Sequence, residues 1–314
     1  MAKYLVTGAA GFIGSNIVEE LVRRGEQVRA LDNLSTGRWA NIEPFMDRIE
    51  FIEGSITHAH TAARAVDGVD YVLHQAALPS VPRSVLDPLA SNHANVTGTL
   101  TLLVAARDAG VRRFVYASSS SVYGDSPTLP KREDMPTRPR SPYAVSKLAG
   151  EEYCKVFTHV YGLPTVCLRY FNVFGPRQDP TSQYAAVIPA FITAVLQGRP
   201  PVIYGDGTQT RDFTYVSNVV QANLLACDRG DAVGHALNIA CGQSVSLLQL
   251  LDLINRLLGT QIQPLFQAER PGDVKHSLAD ITQARTLLAY SPEVDLERGL
   301  AYTIRYFQQH QPNA

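Results

Sequence analysis

Val6-Thr7-Gly8-Ala9-Ala10-Gly11-Phe12-Ile13-Gly14 carries a run of apolar strand residues into three glycines at three-residue spacing. Glycine permits the tight turn from strand to helix, lets backbone N–H groups approach a pyrophosphate, and allows the helix to pack closely on the strand. The helix N-terminus adds partial positive charge. Lys3 to Thr7 reads as a buried parallel strand, and Phe12, Ile13, Ile17, Leu21 and Val22 recur at helical spacing to face a sheet. A second strand, Gln27 to Leu31, is closed by Asp32, where an acidic side chain bonds the adenosine ribose hydroxyls. A carboxylate there repels a 2′-phosphate, so the pattern predicts NAD over NADP.

The chain has 314 residues, with 28 basic and 29 acidic side chains. So even a balance gives no electrostatic footprint for nucleic acid or an anionic membrane. No apolar run approaches the roughly 18 residues that span a bilayer, and a core strand begins within a few residues of Met1, so a cytosolic protein is expected. Cys154, Cys167, Cys227 and Cys241 stand far apart without metal-ligand spacing and read as reduced packing residues.

Strands and helices alternate through the first two-thirds. Ile49 to Ile52, Tyr71 to His74, Phe114 to Ala117 and Thr165 to Arg169 read as strands. Between them Thr61 to Val66 reads as helical, Pro88 opens a long helix ended by Gly110, and Pro142 opens another through Tyr161. Right-handed crossovers between such strands build an α/β fold with a doubly wound parallel sheet. Beyond Phe171, loops rich in Gly, Pro and Asp join shorter elements, which places a smaller, discontinuous α/β substrate-binding domain there. Val219 to Ala226 as a helix and Ala236 to Ile239 as a strand return to the first domain. The expected division is 1–171 with about 214–240 for the dinucleotide domain, and 172–213 with 241–314 for the substrate domain.

The strand at Phe114 runs into Ser118-Ser119-Ser120-Ser121-Val122-Tyr123-Gly124, and Tyr143-Ala144-Val145-Ser146-Lys147 follows. Four-residue spacing puts Tyr143 and Lys147 on one helix face. A free phenol titrates near pH 10, about three units too high for a base at neutral pH. A lysine and a positive nicotinamide ring both favour phenolate, so Tyr143 is expected to take a hydroxyl proton as hydride leaves the same carbon.

With the Gly-x-x-Gly-x-x-Gly turn and Asp32-Asn33-Leu34-Ser35-Thr36-Gly37, these motifs resemble the extended short-chain dehydrogenase/reductases acting on nucleotide-diphospho-sugars, over nearly the whole chain. The resemblance implies Ser119 as the catalytic hydroxyl, Tyr143 as base and Lys147 as ligand of the cofactor ribose. It implies NAD contacts from Gly8, Gly11, Phe12, Ile13 and Gly14, from Asp32, Asn33, Ser35, Thr36 and Gly37, and from Ser55 and Ile56. Gln75, Ala76, Ala77, Asn95 and Tyr170 complete that set with Tyr143 and Lys147. A UDP-sugar is expected against Ser80, Arg83, Ser119, Ser120, Ser121 and Tyr143. Ala186 and Val187 are expected to border the substrate too, and its nucleotide falls to Asn172, Tyr204, Arg211, Arg270 and Asp273, within Arg169-Tyr170-Phe171-Asn172, Tyr204-Gly205-Asp206-Gly207, Arg211-Asp212 and Arg270-Pro271-Gly272-Asp273. Arginine forks suit the diphosphate.

Members that eliminate water or carbon dioxide carry an acidic residue just before Val-Tyr-Gly, and this chain has only hydroxyls there. Oxidation and return of the same hydride remain, which is 4-epimerisation. Ser80-Val81-Pro82-Arg83-Ser84, Asn172-Val173-Phe174-Gly175 with Arg177-Gln178-Asp179-Pro180, and Tyr184-Ala185-Ala186-Val187-Ile188-Pro189 are most similar to bacterial UDP-N-acetylglucosamine 4-epimerases. Ser277 stands where members confined to glucose and galactose carry a bulky aromatic, which leaves room for an N-acetyl group. Two positions depart from the pattern: Ser55 replaces an Asp that binds the adenine amino group, and Pro79 stands where the nearest relatives have glycine. UDP-glucose/galactose-specific or UDP-glucuronate 4-epimerases are the enzyme alternatives, and a non-catalytic NAD-sensing regulator is the alternative of another class. Helices near Asn92 to Ala109 and Ser146 to Tyr161 resemble those forming a four-helix homodimer interface in the family.

Overall fold

Seven short apolar runs lie side by side as one parallel sheet: β1 (Lys3–Thr7), β2 (Gln27–Asp32), β3 (Glu50–Glu53), β4 (Tyr71–His74), β5 (Arg113–Ser119), β6 (Thr165–Tyr170) and β7 (Ala236–Ile239). The computed structural model describes residues 1–180, 186–269 and 275–310. Strand order is β7-β6-β5-β4-β1-β2-β3. Every neighbouring pair is parallel, as βαβ crossovers require. Parallel sheets need both faces covered. Successive residues accordingly alternate between two cores. Tyr4, Val6, Val28, Ala30, Val115 and Ala117 pack on one face, and Leu5, Leu31, Val72, Phe114 and Tyr116 on the other.

A third core joins Phe174, Ile188, Phe191, Ile203, Leu250, Ile254, Leu300, Ile304 and Phe307. It is built from helices Val187–Leu196, Leu247–Leu258 and Leu296–Gln309. Ala279, Ile281, Ala284, Leu288 and Tyr290 pack instead with the sheet, so the C-terminal segment divides between two cores. No helix among the described residues is long and apolar enough to cross a membrane.

The region after β4 differs from its periodicity. A short helix, Val81–Leu86, precedes Pro88, with the Ser80 hydroxyl accepting from the Arg83 N–H at its start. The long helix expected from Pro88 is three pieces: Pro88–Asn92, a π turn over His93–Thr97, and Gly98–Asp108. Asn95 lies in the π turn because its amide is committed elsewhere, accepting from Leu78 N–H (2.7 Å) and donating to Leu78 O (3.2 Å). Such tertiary commitments leave no mark on hydrophobic periodicity. Helix Pro142–Tyr161 matches its expected bounds, with Ser141 accepting from Ala144 N–H and Gly162 ending it in the left-handed region.

That helix is locked to the sheet by a buried ion pair. Arg169 on β6 donates to both oxygens of the fully buried Glu151, at 2.9 and 2.7 Å, and its third nitrogen reaches Tyr123 Oη at 2.8 Å. Tyr123 donates to Asn238 on β7 at 2.7 Å. A single arginine thereby joins β6, the turn that follows β5, β7 and the helix. Glu151→Ala leaves a buried guanidinium unpaired, and we expect it to lower the unfolding free energy by about 3–5 kcal/mol. Chemical denaturation measures this, and a loss below about 1 kcal/mol would contradict the pairing.

Candidate active site

Strand order reverses between β1 and β4, and ligands of doubly wound sheets bind outside the carboxyl ends of the strands at such a point. A cavity of about 880 Å³ opens there. Gly8 has φ +65°, and a Cβ on it would come within 2.8 Å of Ala76. A Cβ on Gly14 would stand 2.1 Å from Gly8 O, so the helix can approach the turn this closely only with glycine there. Gly8, Gly11, Phe12, Ile13 and Gly14 line the cavity. The Asp32 carboxylate accepts from Ala10 N–H (2.9 Å) and Leu34 N–H (2.8 Å) and faces the same space. Burial pushes its pKa up, and those N–H groups oppose the shift.

Asn33, Ser35, Thr36, Ser55 and Ile56 join this lining. Gly37 supports it from behind, since a Cβ there would meet the Asp32 carboxylate at 2.9 Å. Ser55, at the position that departs from the family pattern, turns its hydroxyl to Thr57, 2.8 Å away.

Gln75, Ala76 and Ala77 leave β4 along the cavity wall. Gln75 and Tyr170 are fixed by a closed triangle. Gln75 donates to Asn223 (3.0 Å), Asn223 to Tyr170 Oη (2.8 Å), and Tyr170 to Gln75 (3.2 Å). Asn95 lies behind this wall, holding the Leu78 backbone and donating to Ser146 Oγ at 3.0 Å. His74 is buried between Thr7 (2.7 Å) and Thr99 (2.9 Å). Burial and the nearby Lys147 charge push its pKa down to about 3, so it is a neutral link between β1 and the helix carrying Asn95.

At the end of β5 the groups expected to move the proton come together. The Ser119 hydroxyl stands beside the Tyr143 phenol and pulls its pKa down against the effect of burial. Lys147 Nζ donates to Ala117 O at 2.9 Å and sits 5.8 Å from the Tyr143 ring centre. Tyr143 and Lys147 line the cavity. Burial pushes the Lys147 amine down to about 8. The sequence predicts a Tyr143 phenol pulled down by Lys147, but burial raises it and only the neighbouring Ser119 hydroxyl opposes the rise. The chain's own groups leave the phenol protonated at neutral pH. Ser120 and Ser121 form the turn beyond Ser119, and Ser121 Oγ is buried without a hydrogen-bond partner.

Ser80 and Arg83 line the outer part of the cavity, Ser80 at φ +100°. A second cavity, about 590 Å³, is lined by Asn172, Val187, Tyr204 and Arg211, with Phe174, Phe191 and Phe213. Ala186 borders both cavities. Ser277 Oγ accepts from Asn172 Nδ2 at 3.3 Å, which places its small side chain beside this lining. Arg270 and Asp273 lie outside the described residues.

Three residues expected around the nucleotide are structural. Arg169 is committed to Glu151, and Phe171 is buried in the sheet core. Asp212 is buried and accepts from the N–H groups of Cys241, Gly242 and Ala279, while burial pushes its pKa up to about 6. Conversely, Arg38, Thr57, Arg177, Gln178 and Asp179 line the first cavity without having been singled out. For Arg177 to Asp179 the only sequence signal is the likeness of their own stretch, Arg177-Gln178-Asp179-Pro180, to the epimerases, which assigns them no role at the cavity.

Residues 4–240 match the model of the NAD dependent epimerase/dehydratase family. The chain is 42% identical to a UDP-glucose 4-epimerase of Mycolicibacterium smegmatis, covering 97% of this chain and 98% of that protein. Among solved structures, UDP-N-acetylglucosamine 4-epimerase from Methanobrevibacter ruminantium M1, in complex with UDP-N-acetylmuramic acid, superposes with a TM-score of 0.95 at 41% identity, covering 99% of each chain. UDP-glucuronic acid 4-epimerase from Bacillus cereus, in complex with UDP-glucuronic acid and NAD, gives 0.89 at 35% identity over 98% of this chain and 99% of that one.

The Lys147 shift has a measurable consequence in the cofactor-free protein. Between pH about 8 and 10.5 the unfolded chain keeps the Lys147 proton while the folded chain has released it, so this group's contribution to stability rises with pH across the window. Unfolding free energies of wild type and Lys147→Met, both measured from pH 7 to 10.5, should therefore shift relative to each other in favour of wild type by about 3 kcal/mol. A difference independent of pH would contradict the buried-amine account.

Proposed function

The chain belongs to the NAD dependent epimerase/dehydratase family, and from that premise we propose that it is a UDP-sugar 4-epimerase whose preferred substrates are UDP-N-acetylglucosamine and UDP-N-acetylgalactosamine. The observation that carries the reaction is Tyr143 beside Ser119, with Tyr143 and Lys147 at the cavity wall, on a strand end that offers hydroxyls and no carboxylate. The glycine turn, with no room for a Cβ, and the Asp32 carboxylate fit NAD, which supplies a hydride acceptor and donor when bound. Tyr143 Oη takes the proton of the C4 hydroxyl and later returns it, with the Ser119 hydroxyl holding the same oxygen. The Lys147 ammonium favours phenolate and is itself held by Ala117 O. Elimination needs an acid for the leaving hydroxyl and a base for the adjacent carbon, and the serine run supplies no carboxylate for either.

The sugar preference rests on Ser277 beside Asn172. An open pocket also admits smaller sugars, so UDP-glucose and UDP-galactose are secondary substrates. Arg211 and Tyr204 hold the nucleotide end, together with Arg270 and Asp273. The region 1–171 with 214–240 carries the dinucleotide, and the remainder carries the UDP-sugar. A second copy of the chain covers helices 98–108 and 142–161, whose outer faces expose Val104, Val145, Val156, Val160 and Tyr161.

Product analysis after separate incubation with each UDP-sugar tests the reaction. Tyr143→Phe should retain bound NAD and lose at least about a hundredfold in kcat; near-normal turnover removes Tyr143 as the base. Ser277→Tyr should lower kcat/KM for N-acetylated substrates at least about tenfold more than for UDP-glucose, about 1.4 kcal/mol of discrimination. Equal loss on both contradicts the gate. The two-copy reading predicts a dimer by sedimentation at micromolar concentration, and a monomer there contradicts it.

A further inference from the structure

Residues 176–179 follow Phe174 of the third core, and Arg177, Gln178 and Asp179 line the same cavity as the glycine turn and Asp32. Pro176, Arg177 and Asp179 are each tied to residues of the N-terminal region. Pro176 O accepts from Asn16 Nδ2 at 3.2 Å. Arg177 donates to Ser15 O at 3.0 Å, pairs with Glu19, and lies 5.7 Å from the Phe45 ring centre. All three partners flank or belong to the helix that follows the glycine turn. Asp179 then pairs with Arg38 at 2.6 Å, and Arg38 N–H is anchored on Ala10 O of the glycine turn at 3.0 Å.

The backbone is forced to make these contacts. Arg177 adopts φ +69°, a left-handed conformation that costs an L-residue energy and persists only where its surroundings impose it. Gln178, between the two arginine contacts, donates its amide to Val173 O at 3.2 Å, leaving its buried Oε1 without a partner at the cavity. One exposed ion pair is weak. Here five contacts act on a single short segment.

We propose that residues 176–179 are a strap retaining the dinucleotide through turnover, with Arg177 anchoring it to the first helix and the Arg38–Asp179 pair closing it across the cavity. The proposal rests on the epimerase reading: the hydride removed from C4 must stay in the protein until it is returned, so the cavity must remain closed on a cycle that ends where it began. Neither Arg38, Arg177 nor Asp179 touches the reacting carbon in this account. They are positioning residues, and their signature is the lifetime of bound cofactor.

The test loads the purified protein with radiolabelled NAD, chases with excess unlabelled NAD and follows the bound label. Arg177→Met should shorten its half-life about tenfold, equivalent to about 1.4 kcal/mol, and Asp179→Asn about threefold. High salt should speed release from wild type and change Asp179→Asn little, because the screened pair is already gone. The reversed pair, Arg38→Asp with Asp179→Arg, should recover the wild-type half-life. Half-lives within twofold of wild type for both single variants overturn the strap, as does a reversed pair no better than Asp179→Asn. Thermal melts of the same samples verify folding, and the surface substitution Asp179→Asn keeps the test decisive if Arg177→Met unfolds. C4-epimer formation by wild type is measured in parallel: its absence from every UDP-sugar overturns the epimerase reading, while the label half-lives still decide the strap.

Discussion

Everything at the candidate site depends on how helix 142–161 is fastened to the end of β5. Two bonds do this. Lys147 donates to Ala117 O, and Ser118 donates to Glu151 one turn further along the same helix. Between them they fix the two strand residues that precede Ser119, which stands beside Tyr143. Glu151 is held in turn by Arg169, which reaches Tyr123 and through it β7. The geometry around Ser119 and Tyr143 is thus set by a chain of buried polar groups that crosses three strands, each satisfied and each costly to leave alone.

The same economy of placement governs charge. Burial raises the Tyr143 phenol and lowers the Lys147 amine, so the ordinary order of the two is reversed and the phenol stays protonated at neutral pH. A positive group bound in the cavity beside them shifts the phenol downward by ordinary Coulomb attraction. If Tyr143 is the base we propose, its phenolate would be populated at neutral pH chiefly when NAD is bound.

Much of this was legible in the residues. The parallel sheet, the glycine turn, Asp32 and the Tyr143/Lys147 pair follow from period, spacing and the chemistry of glycine, because each is a local rule. What escaped is non-local. Asn95 bends its helix to hold Leu78, and nothing in Pro88 to Ala109 announces that. Arg169 and Asp212 sit in stretches that touch the cavities, yet their side chains turn inward to Glu151 and to backbone N–H groups. Alternation along β6 does not say which of two neighbouring polar residues faces a ligand when both faces are buried. Arg38 and Asp179 are far apart in the chain, and only the folded cavity brings them together.

The central claim is that hydride leaves C4 and returns to C4 of the same sugar without entering solvent. The most direct measurement mixes a UDP-hexose carrying deuterium at C4 with carbon-13-labelled, undeuterated substrate in ordinary water and examines the epimer by mass spectrometry. The account predicts that deuterium stays at C4, in the molecules that began with it. Deuterium lost to water, or found in the carbon-13 product, would contradict it.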